Sequence, residues 1–181
     1  LALLYALHHL QRFYPKKYTL SAITVDLGLG NMQMEPIEAL CREFGVPWSL
    51  VPTQIGQILF DIKKEANPCS LCAKMRKGAL NQKAKAMGCN VIAYAHHRDD
   101  VIETLLMSLF YEGRCHCFSP VTHLDRAQLS IIRPMIYVTE ANVIGFKNRF
   151  RLPVCKNPCP MDGHTKRQYI KELIKNLQKD N

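Results

Sequence analysis

The chain has 181 residues, of which 48% are hydrophobic and 22% are charged, a composition that is ordinary for a globular protein. No apolar run approaches the ~20 residues that a bilayer span needs, which argues against a membrane partner. Twenty-four Lys and Arg against fifteen Asp and Glu give a net charge of +9, which favours polyanionic partners such as nucleic acid or ATP but also occurs in merely basic proteins.

Predicted helices and strands alternate along the chain. In chain order, the apolar spacing and the β-rich runs predict a helix at 1–13, a strand at 20–25, a helix at 35–44, a strand at 48–51, helices at 55–63 and 73–87, a strand at 90–95, a helix at 100–110, a strand at 131–134, and helices at 140–150 and 165–179. Strands separated by long helices predict an α/β fold with a doubly wound parallel sheet. We expect one domain over 1–181, with a long loop at 151–163 that contains three prolines.

Ligands of doubly wound folds bind beyond the carboxyl ends of the strands. The predicted strands therefore place Asp26, the segment 96–100 and the loop ahead of residue 1 on one rim.

Eight cysteines are spread along the chain, and two groups of them are paired. The apolar residues 1–7 follow no basic segment and precede no cleavage site, so we expect a reducing, cytoplasmic location. There, Pro68-Cys69-Ser70-Leu71-Cys72 and the later Cys155-Lys156-Asn157-Pro158-Cys159-Pro160 indicate metal ligands or redox thiols. Three readings stay open: a four-cysteine zinc site, a three-cysteine iron–sulfur cluster with one open iron, and a redox dithiol. Spacing alone slightly favours zinc.

The segment His96-His97-Arg98-Asp99-Asp100-Val101-Ile102-Glu103-Thr104 follows a predicted strand and opens a helix. Asp100 with Glu103 fits a capping box, which is the structural explanation of the acids. Capping requires one acid, however, and a carboxylate pair at the end of a strand also suits Mg²⁺ on nucleotide phosphates. We regard the two roles as compatible.

Two basic segments suit a polyanion. Lys74, Arg76 and Lys77 follow the first cysteine pair, and the last helix carries lysines beside one apolar stripe, with Thr165 and Gln168 placed for a capping box. Such faces are usually only solvated, and contact with an RNA backbone is the alternative.

These segments together resemble the tRNA 2-thiocytidine synthetase group of PP-loop ATP pyrophosphatases over nearly the whole chain. Besides the cysteine and His96–Thr104 motifs, the matching pieces are Phe110-Tyr111-Glu112-Gly113-Arg114, Arg133-Pro134-Met135-Ile136-Tyr137-Val138, and Cys159 ahead of Thr165-Lys166-Arg167-Gln168. The resemblance implies a Rossmann-related nucleotide-hydrolase fold. It also implies adenylation of a nucleobase carbonyl by ATP, with release of pyrophosphate, followed by replacement of AMP by sulfur.

The resemblance also assigns residues and cofactors. It implies a [4Fe-4S] cluster on Cys69, Cys72 and Cys159, with Cys155 as the alternative third ligand and zinc as the alternative metal. The acidic motif maps to Asp99 and Asp100, and Arg76 falls where a basic catalytic residue is expected. Asp26, His96 and Asp99 would contact ATP and its Mg²⁺. The implied partners are tRNA and a sulfur donor, and a homodimer would enlarge the tRNA surface.

The pattern departs from the family in one respect. A Ser-Gly-Gly-Lys-Asp-Ser phosphate loop and its strand are expected just ahead of a helix like 1–10, and the sequence begins at that helix. We expect both to precede residue 1, because a protein without them would bind ATP poorly and miss a central strand. The alternatives are a zinc-bound RNA-binding module without catalysis and an ATP-dependent tRNA modification without sulfur, as in lysidine synthetases.

Overall fold

The computed structural model describes residues 1–30, 32–64, 67–155 and 157–179. The helices are α1 (Ala2–Leu10), α2 (Glu35–Glu43), α3 (Ile55–Gln57), α4 (Pro68–Ala86), α5 (Arg98–Glu112), α6 (Glu140–Arg149) and α7 (Lys166–Leu177), and a π-helical turn at Ile58–Ile62 extends α3. The strands are β1 (Ala22–Asp26), β2 (Trp48–Pro52), β3 (Val91–Ala93), β4 (Val121–Leu124) and β5 (Leu129–Ile132). Among the helices described, not one has both the length and the apolar character of a membrane span.

The strands form two small sheets, and each sheet contains a parallel pair. In the first sheet β1 and β2 run parallel, with Ala22 opposite Trp48 and Asp26 opposite Pro52. In the second sheet the order is β3-β5-β4, with β3 parallel and β4 antiparallel to β5. The parallel pairs and the alternation of helices with strands confirm the predicted α/β class.

A wide cavity separates the two sheets. It has a volume of about 1660 Å³ and is lined by residues of β1 and β3, together with residues of α1. Among the described strands, β1 is paired only with β2, and β3 only with β5. One edge of β1 and one edge of β3 therefore border the cavity. In a continuous sheet, a further strand would lie between these two edges.

The best-packed cluster of the core lies where α4 meets the second sheet. Ala84 of α4, Ile92 of β3, and Leu129 and Ile131 of β5 are at most 8% exposed and pack together. This packing holds the carboxyl-terminal part of α4 against the second sheet.

The elements differ from the sequence predictions in three informative places. Helix α4 begins at Pro68, five residues earlier than predicted, because proline suits the first turn of a helix. Helix α5 begins at Arg98 with His97 as its cap, so the predicted capping box of Asp100 with Glu103 is wrong. Strand β4 was not predicted, since its hairpin turn contains no glycine and instead places Gln128 at a φ of 52°.

Candidate functional site

The first cysteine pair lies in the first turn of α4. Helix positions three and four residues apart share a face, so Cys69, Cys72 and Arg76 lie along one side of this helix. Cys69 is exposed and Cys72 is half-buried. Asn67 precedes the helix and makes no side-chain capping bond to the residues that the structure describes. The face is thus accessible and carries two thiols beside a cation.

The charges around Cys72 show which groups lie near its sulfur. Burial raises the pKa of the Cys72 thiol, the Arg76 guanidinium lowers it, and the thiols of Cys159 and Cys69 raise it again. Each of these three side chains is therefore within electrostatic reach of Cys72. Cys159 is thus within electrostatic reach of Cys72, although the two motifs are far apart in sequence.

Cys159 is held by local hydrogen bonds ahead of α7. Its amide donates to Oδ1 of Asn157 at 3.2 Å, and its carbonyl accepts from the Asp162 amide at 3.0 Å. Cys155 lies elsewhere, because it lines the cavity between the sheets together with Leu1. The two cysteines of the later motif therefore occupy different environments.

The thiols of Cys69, Cys72 and Cys159 do not form a finished coordination shell. Across residues 1–30, 32–64, 67–155 and 157–179, no three Cys, His, Asp or Glu side chains are arranged as ligands of one metal ion. The donor chemistry nevertheless fits a thiophilic centre, since Cys72, Cys69 and Cys159 are free thiols with no carboxylate among them. Such a set suits an iron–sulfur cluster or zinc far better than a hard cation.

The acids at the start of α5 both hold structural hydrogen bonds. Oδ2 of Asp100 accepts from the His97 amide at 2.9 Å, and the His97 ring in turn accepts from the Asp100 amide at 3.4 Å. Oδ2 of Asp99 accepts from the Glu140 amide at 2.8 Å, which ties α5 to the start of α6. A carboxylate has about four acceptor positions, so these bonds leave room for a further ligand.

A half-buried group of aromatic and basic side chains follows β3. Burial raises the pKa of Tyr94, while Arg133 and Arg76 lower it, so Tyr94 is close to the arginine that adjoins Cys72. The ring of His96 lies 5.4 Å from that of Tyr94 and 4.6 Å from that of Phe118. Tyr94 and His96 thereby connect the start of α4 to the start of α5.

His96 is held as a neutral side chain. Burial lowers its pKa below the ordinary value of 6.5, against the opposing effect of Asp100. Its Nδ1 atom is buried, with no hydrogen-bond partner in the part of the chain that the structure describes. A neutral imidazole beside Asp100 can accept or donate one hydrogen bond to a bound molecule.

Asp26 lies at the carboxyl end of β1 and shapes the turn that follows. Its Oδ1 accepts from the Gly28 amide at 2.9 Å, and its carbonyl accepts from the Thr53 hydroxyl at 2.6 Å. Gly28 has a φ of 70°, and a Cβ atom there would lie 2.6 Å from the Thr53 carbonyl oxygen. The turn therefore requires glycine, and Asp26 has a structural role whether or not it also contacts a ligand.

Two residues that adjoin these groups, Tyr94 and Arg167, have no place in the site that the sequence predicts. The sequence predicts Tyr94 only as part of a strand, although a residue at the end of β3 lies at the rim where ligands of such folds bind. Arg167 belongs to the basic residues of the last helix, for which a solvated face or an RNA contact is expected, and it forms an ion pair with Asp100 and Glu103. The sequence signal for Arg167 was Glu103, because an acid within an apolar helix requires a cationic partner.

Comparisons with known proteins identify the family of the chain. The family described as "PP-loop domain" matches residues 1–177. A tRNA-cytidine(32) 2-sulfurtransferase of Geobacter sulfurreducens is 35% identical over 99% of this chain and 71% of its own length. Another, of Syntrophotalea carbinolica, is 36% identical over 98% of this chain and 70% of its own length.

A solved structure shows the same fold. The U34-tRNA thiolase NcsA from Methanococcus maripaludis, solved with its [4Fe-4S] cluster, matches with a TM-score of 0.78 and 24% identity. The match covers 99% of this chain and 62% of the thiolase chain. With the family match and the sulfurtransferase relatives, it leads to one assignment: this chain belongs to the PP-loop domain family.

Proposed function

We propose that this chain carries the catalytic body of an ATP-dependent tRNA thiolase. The relatives that match almost its whole length are named tRNA-cytidine(32) 2-sulfurtransferases. The observation that carries the proposal is that Cys69, Cys72 and Arg76 share one face of α4, with Cys159 within electrostatic reach of Cys72. A sulfur-transferring site requires soft ligands beside a cation, and the start of α4 offers both.

The reaction has two steps whose atoms balance. The carbonyl oxygen of the target nucleobase attacks the α-phosphorus of ATP, and pyrophosphate leaves with the electrons of the broken P–O bond. A sulfide-level nucleophile then attacks the activated carbon, and AMP leaves with the former carbonyl oxygen. No net oxidation occurs, and a separate sulfur donor supplies the sulfur.

We assign Cys69, Cys72 and Cys159 as the ligands of a [4Fe-4S] cluster. When bound through three thiolates, such a cluster supplies one iron for the incoming sulfur. The donor set supports this, because all three side chains are free thiols, and Cys69 and Cys159 are within electrostatic reach of Cys72. Zinc on the same thiols, with no thiolation, is the outcome that would replace the proposal by a structural RNA-binding module.

We assign Asp99 and Asp100 to the Mg²⁺ of the nucleotide and Arg76 to the reacting groups. The guanidinium of Arg76 would stabilise negative charge on the leaving AMP, since it is within electrostatic reach of Cys72, a proposed ligand of the cluster that would hold the incoming sulfur. His96 and Asp26 would contact the nucleotide from the ends of β3 and β1. The neutral state of His96 supports a hydrogen bond to a base or ribose.

We further propose that the strand and phosphate loop expected ahead of α1 belong in the cavity between the sheets. The cavity borders an open edge of β1 and an open edge of β3, and residues of α1 line it. A strand there would pair with both edges and end on the rim that carries His96 and Asp26. Its glycine-rich turn at the start of α1 would then receive the pyrophosphate.

The partners of this proposal are tRNA, ATP and a sulfur donor, in the cytoplasm. The net charge of +9 suits a polyanionic substrate, and a homodimer would present two such surfaces to one tRNA. Salt should therefore weaken the binding of tRNA more strongly than the binding of ATP.

The experiment that tests the proposal is nucleoside analysis of tRNA after reaction. The full-length protein, purified without oxygen, is incubated with unmodified tRNA, ATP, Mg²⁺ and sulfide. We expect a thionucleoside that depends on ATP, together with AMP and pyrophosphate in equal amounts. A modified nucleoside without sulfur would indicate a lysidine-type reaction, and no ATP-dependent product at all would sink the proposal.

A further inference from the structure

Arg167 joins the start of α7 to the start of α5 through three acceptors. Its Nη1 atom lies 2.9 Å from Oε2 of Glu103 and 3.4 Å from Oδ1 of Asp100. Its Nη2 atom donates to the Thr104 hydroxyl at 3.0 Å. The guanidinium thus spans one helical turn of α5 with two of its nitrogens.

The pairing with Glu103 has a strong physical basis. Glu103 is only 4% exposed, and a carboxylate at such a depth requires a charged partner. Among the described residues, Arg167 is the one that forms an ion pair with it. Arg167 therefore anchors α7 to the Glu103 carboxylate, which is buried and cannot turn to solvent.

The same helix start is connected to the Cys159 thiol by a short, ordered segment. The Asp162 amide donates to the Cys159 carbonyl at 3.0 Å, and the His164 amide donates to the Met161 carbonyl at 3.1 Å. Thr165 then caps α7 by accepting from the Gln168 amide at 3.2 Å. These consecutive turns connect Cys159 to Arg167 over eight residues of chain.

We propose that Arg167 is a positioning residue that sets Cys159 and Asp100 relative to each other. One guanidinium contacts the Asp100 carboxylate directly and fixes the segment that carries Cys159. The inference rests on the proposed function, in which Cys159 holds the cluster and Asp100 the metal ion of the nucleotide. Arg167 would couple the sulfur site to the adenylation site without contacting either substrate.

The geometry requires arginine rather than any cation. The Nη1 atom contacts both Asp100 and Glu103, and the Nη2 atom contacts Thr104. The planar guanidinium of an arginine therefore satisfies all three acceptors at once. A lysine ammonium can pair with Glu103 but cannot hold the same three directions. Arg167→Lys should therefore keep the ion pair and lose part of the positioning.

Lys171 provides a matched control on the same helix. Its Nζ atom pairs with Oε1 of Glu140 at 2.5 Å, so it ties α7 to α6 one turn after Arg167. It makes no described hydrogen bond to α5. Lys171→Met therefore removes a comparable ion pair from α7 and leaves the contacts of Arg167 in place.

The first test measures the reactivity of Cys159 in the metal-free full-length protein. Iodoacetamide is applied in limiting amount, and mass spectrometry gives the alkylation rate of Cys159 relative to that of Cys69. We expect Arg167→Met to raise this ratio about fivefold or more through local opening, Arg167→Lys to raise it less, and Lys171→Met to leave it near wild type. Equal ratios in Arg167→Met and Lys171→Met would overturn the proposal.

The second test uses the reconstituted enzyme and separates binding from chemistry. A positioning role predicts that Arg167→Lys lowers kcat by about tenfold or more while the KM for ATP changes little. If Arg167→Lys only destabilised the fold, the fraction of active enzyme would fall, and the thermal unfolding curve would show a corresponding loss of stability. Unchanged kcat in Arg167→Lys at full iron content would contradict the proposal.

A milder variant covers the case in which Arg167→Met does not fold. Thr104→Val keeps the shape of the side chain and removes only the acceptor for Nη2. We expect it to shift the Cys159 ratio in the same direction by a smaller factor. Should the wild-type protein hold no cluster and thiolate no tRNA, the proposed function fails, whereas the alkylation ratios still decide the positioning role.

Discussion

The first turns of α4 and α5 face the same region and differ in how their polar groups are satisfied. At the start of α5, His97 and Asp100 form a reciprocal capping box, and Asp99 bonds to the Glu140 amide. At the start of α4, the described residues provide no side-chain cap, and the exposed Cys69 stands beside the half-buried Cys72. The acids of α5 thus have hydrogen-bond partners within the fold, whereas the two thiols of α4 have none among the described residues.

The comparison separates stability from chemistry. Substitutions at the start of α5 should affect both, because its acids carry structural bonds as well as a proposed metal ion. Substitutions of the α4 thiols should affect chemistry far more than folding. The predictions that follow test this division, and they begin with the largest effect.

The largest expected effect is loss of thiolation in Cys159→Ser, with Cys155→Ser as the matched control. Cys159 is within electrostatic reach of Cys72, whereas Cys155 lines the cavity between the sheets. Removing one of three ligands should lower activity about 100-fold or more, since ligand loss costs more than the ~10–100-fold of an outer-sphere change. Thionucleoside yield measures the effect, and similar losses in both variants would break the comparison.

Asp99→Asn should separate the two roles of an acid at the start of α5. The amide oxygen can still accept from the Glu140 amide, so the free energy of unfolding should change by less than about 0.5 kcal/mol. Loss of the charge should weaken Mg²⁺ binding and lower the rate of adenylation about tenfold or more. Pyrophosphate release and urea denaturation measure the two effects, and an unchanged rate would assign Asp99 to structure alone.

Glu103→Gln should destabilise the fold, because it removes the charge that Arg167 pairs with inside the protein. Glu103 is buried beside Arg167, so we expect a loss of about 2 kcal/mol in the free energy of unfolding. The exposed helical pair of Glu38 with Arg42 is the control, and Glu38→Gln should cost less than about 0.5 kcal/mol. Equal losses would show that the burial of Glu103 has no energetic consequence.

Whether the sequence predicts a feature of the fold depends on how far apart along the chain its interacting residues lie. The α/β class, the capping of α7 by Thr165 and most helices followed from local spacing. The capping box of α5 was misplaced by three residues, since His97 replaced Asp100 as the cap through a ring nitrogen rather than a carboxylate. Helix propensity alone does not reveal such a choice.

The pairing of the two cysteine motifs was expected from their spacing, but the choice of Cys159 over Cys155 came only from the family resemblance, because it depends on how the segment ahead of α7 packs. The role of Arg167 was not expected at all. Its three acceptors lie more than sixty residues away along the chain, so local pattern could not identify them. The hairpin of β4 was missed for a local reason, namely a turn without glycine or proline.

A smaller effect is expected for Thr165→Ala at the start of α7. Its hydroxyl accepts from the Gln168 amide at 3.2 Å, and loss of such a cap costs about 1 kcal/mol. Because this helix follows the Cys159 segment, the variant should also bind its cluster less firmly. Thr139 caps α6 in the same way, so Thr139→Ala should show a similar loss of stability with no effect on iron retention.

The smallest expected effect is a pH dependence of stability from His96. Burial lowers its pKa in the folded state below 6.5, so the unfolded chain binds more protons in the window from about pH 6.5 down to the lowered value. Stability should therefore fall as the pH drops through that window, by at most about 1.4 kcal/mol per unit, and stay level above it. Urea denaturation between pH 5 and 8 measures the slope.

His96→Gln should flatten this slope, because a glutamine binds no proton. His116, which is exposed, is the control, and His116→Gln should leave the slope as in the wild type. A slope that persists unchanged in His96→Gln would mean that other groups cause it. The result would then remove the support for a neutral His96 beside Asp100.

The most direct test of the central claim is the iron and acid-labile sulfide content of the full-length protein purified without oxygen. The account predicts about four of each per chain, with a brown colour that is lost in Cys72→Ala and retained in Cys155→Ala. One zinc per chain bound through the same thiols, in a colourless protein, would contradict it. So would a cluster that survives in Cys72→Ala.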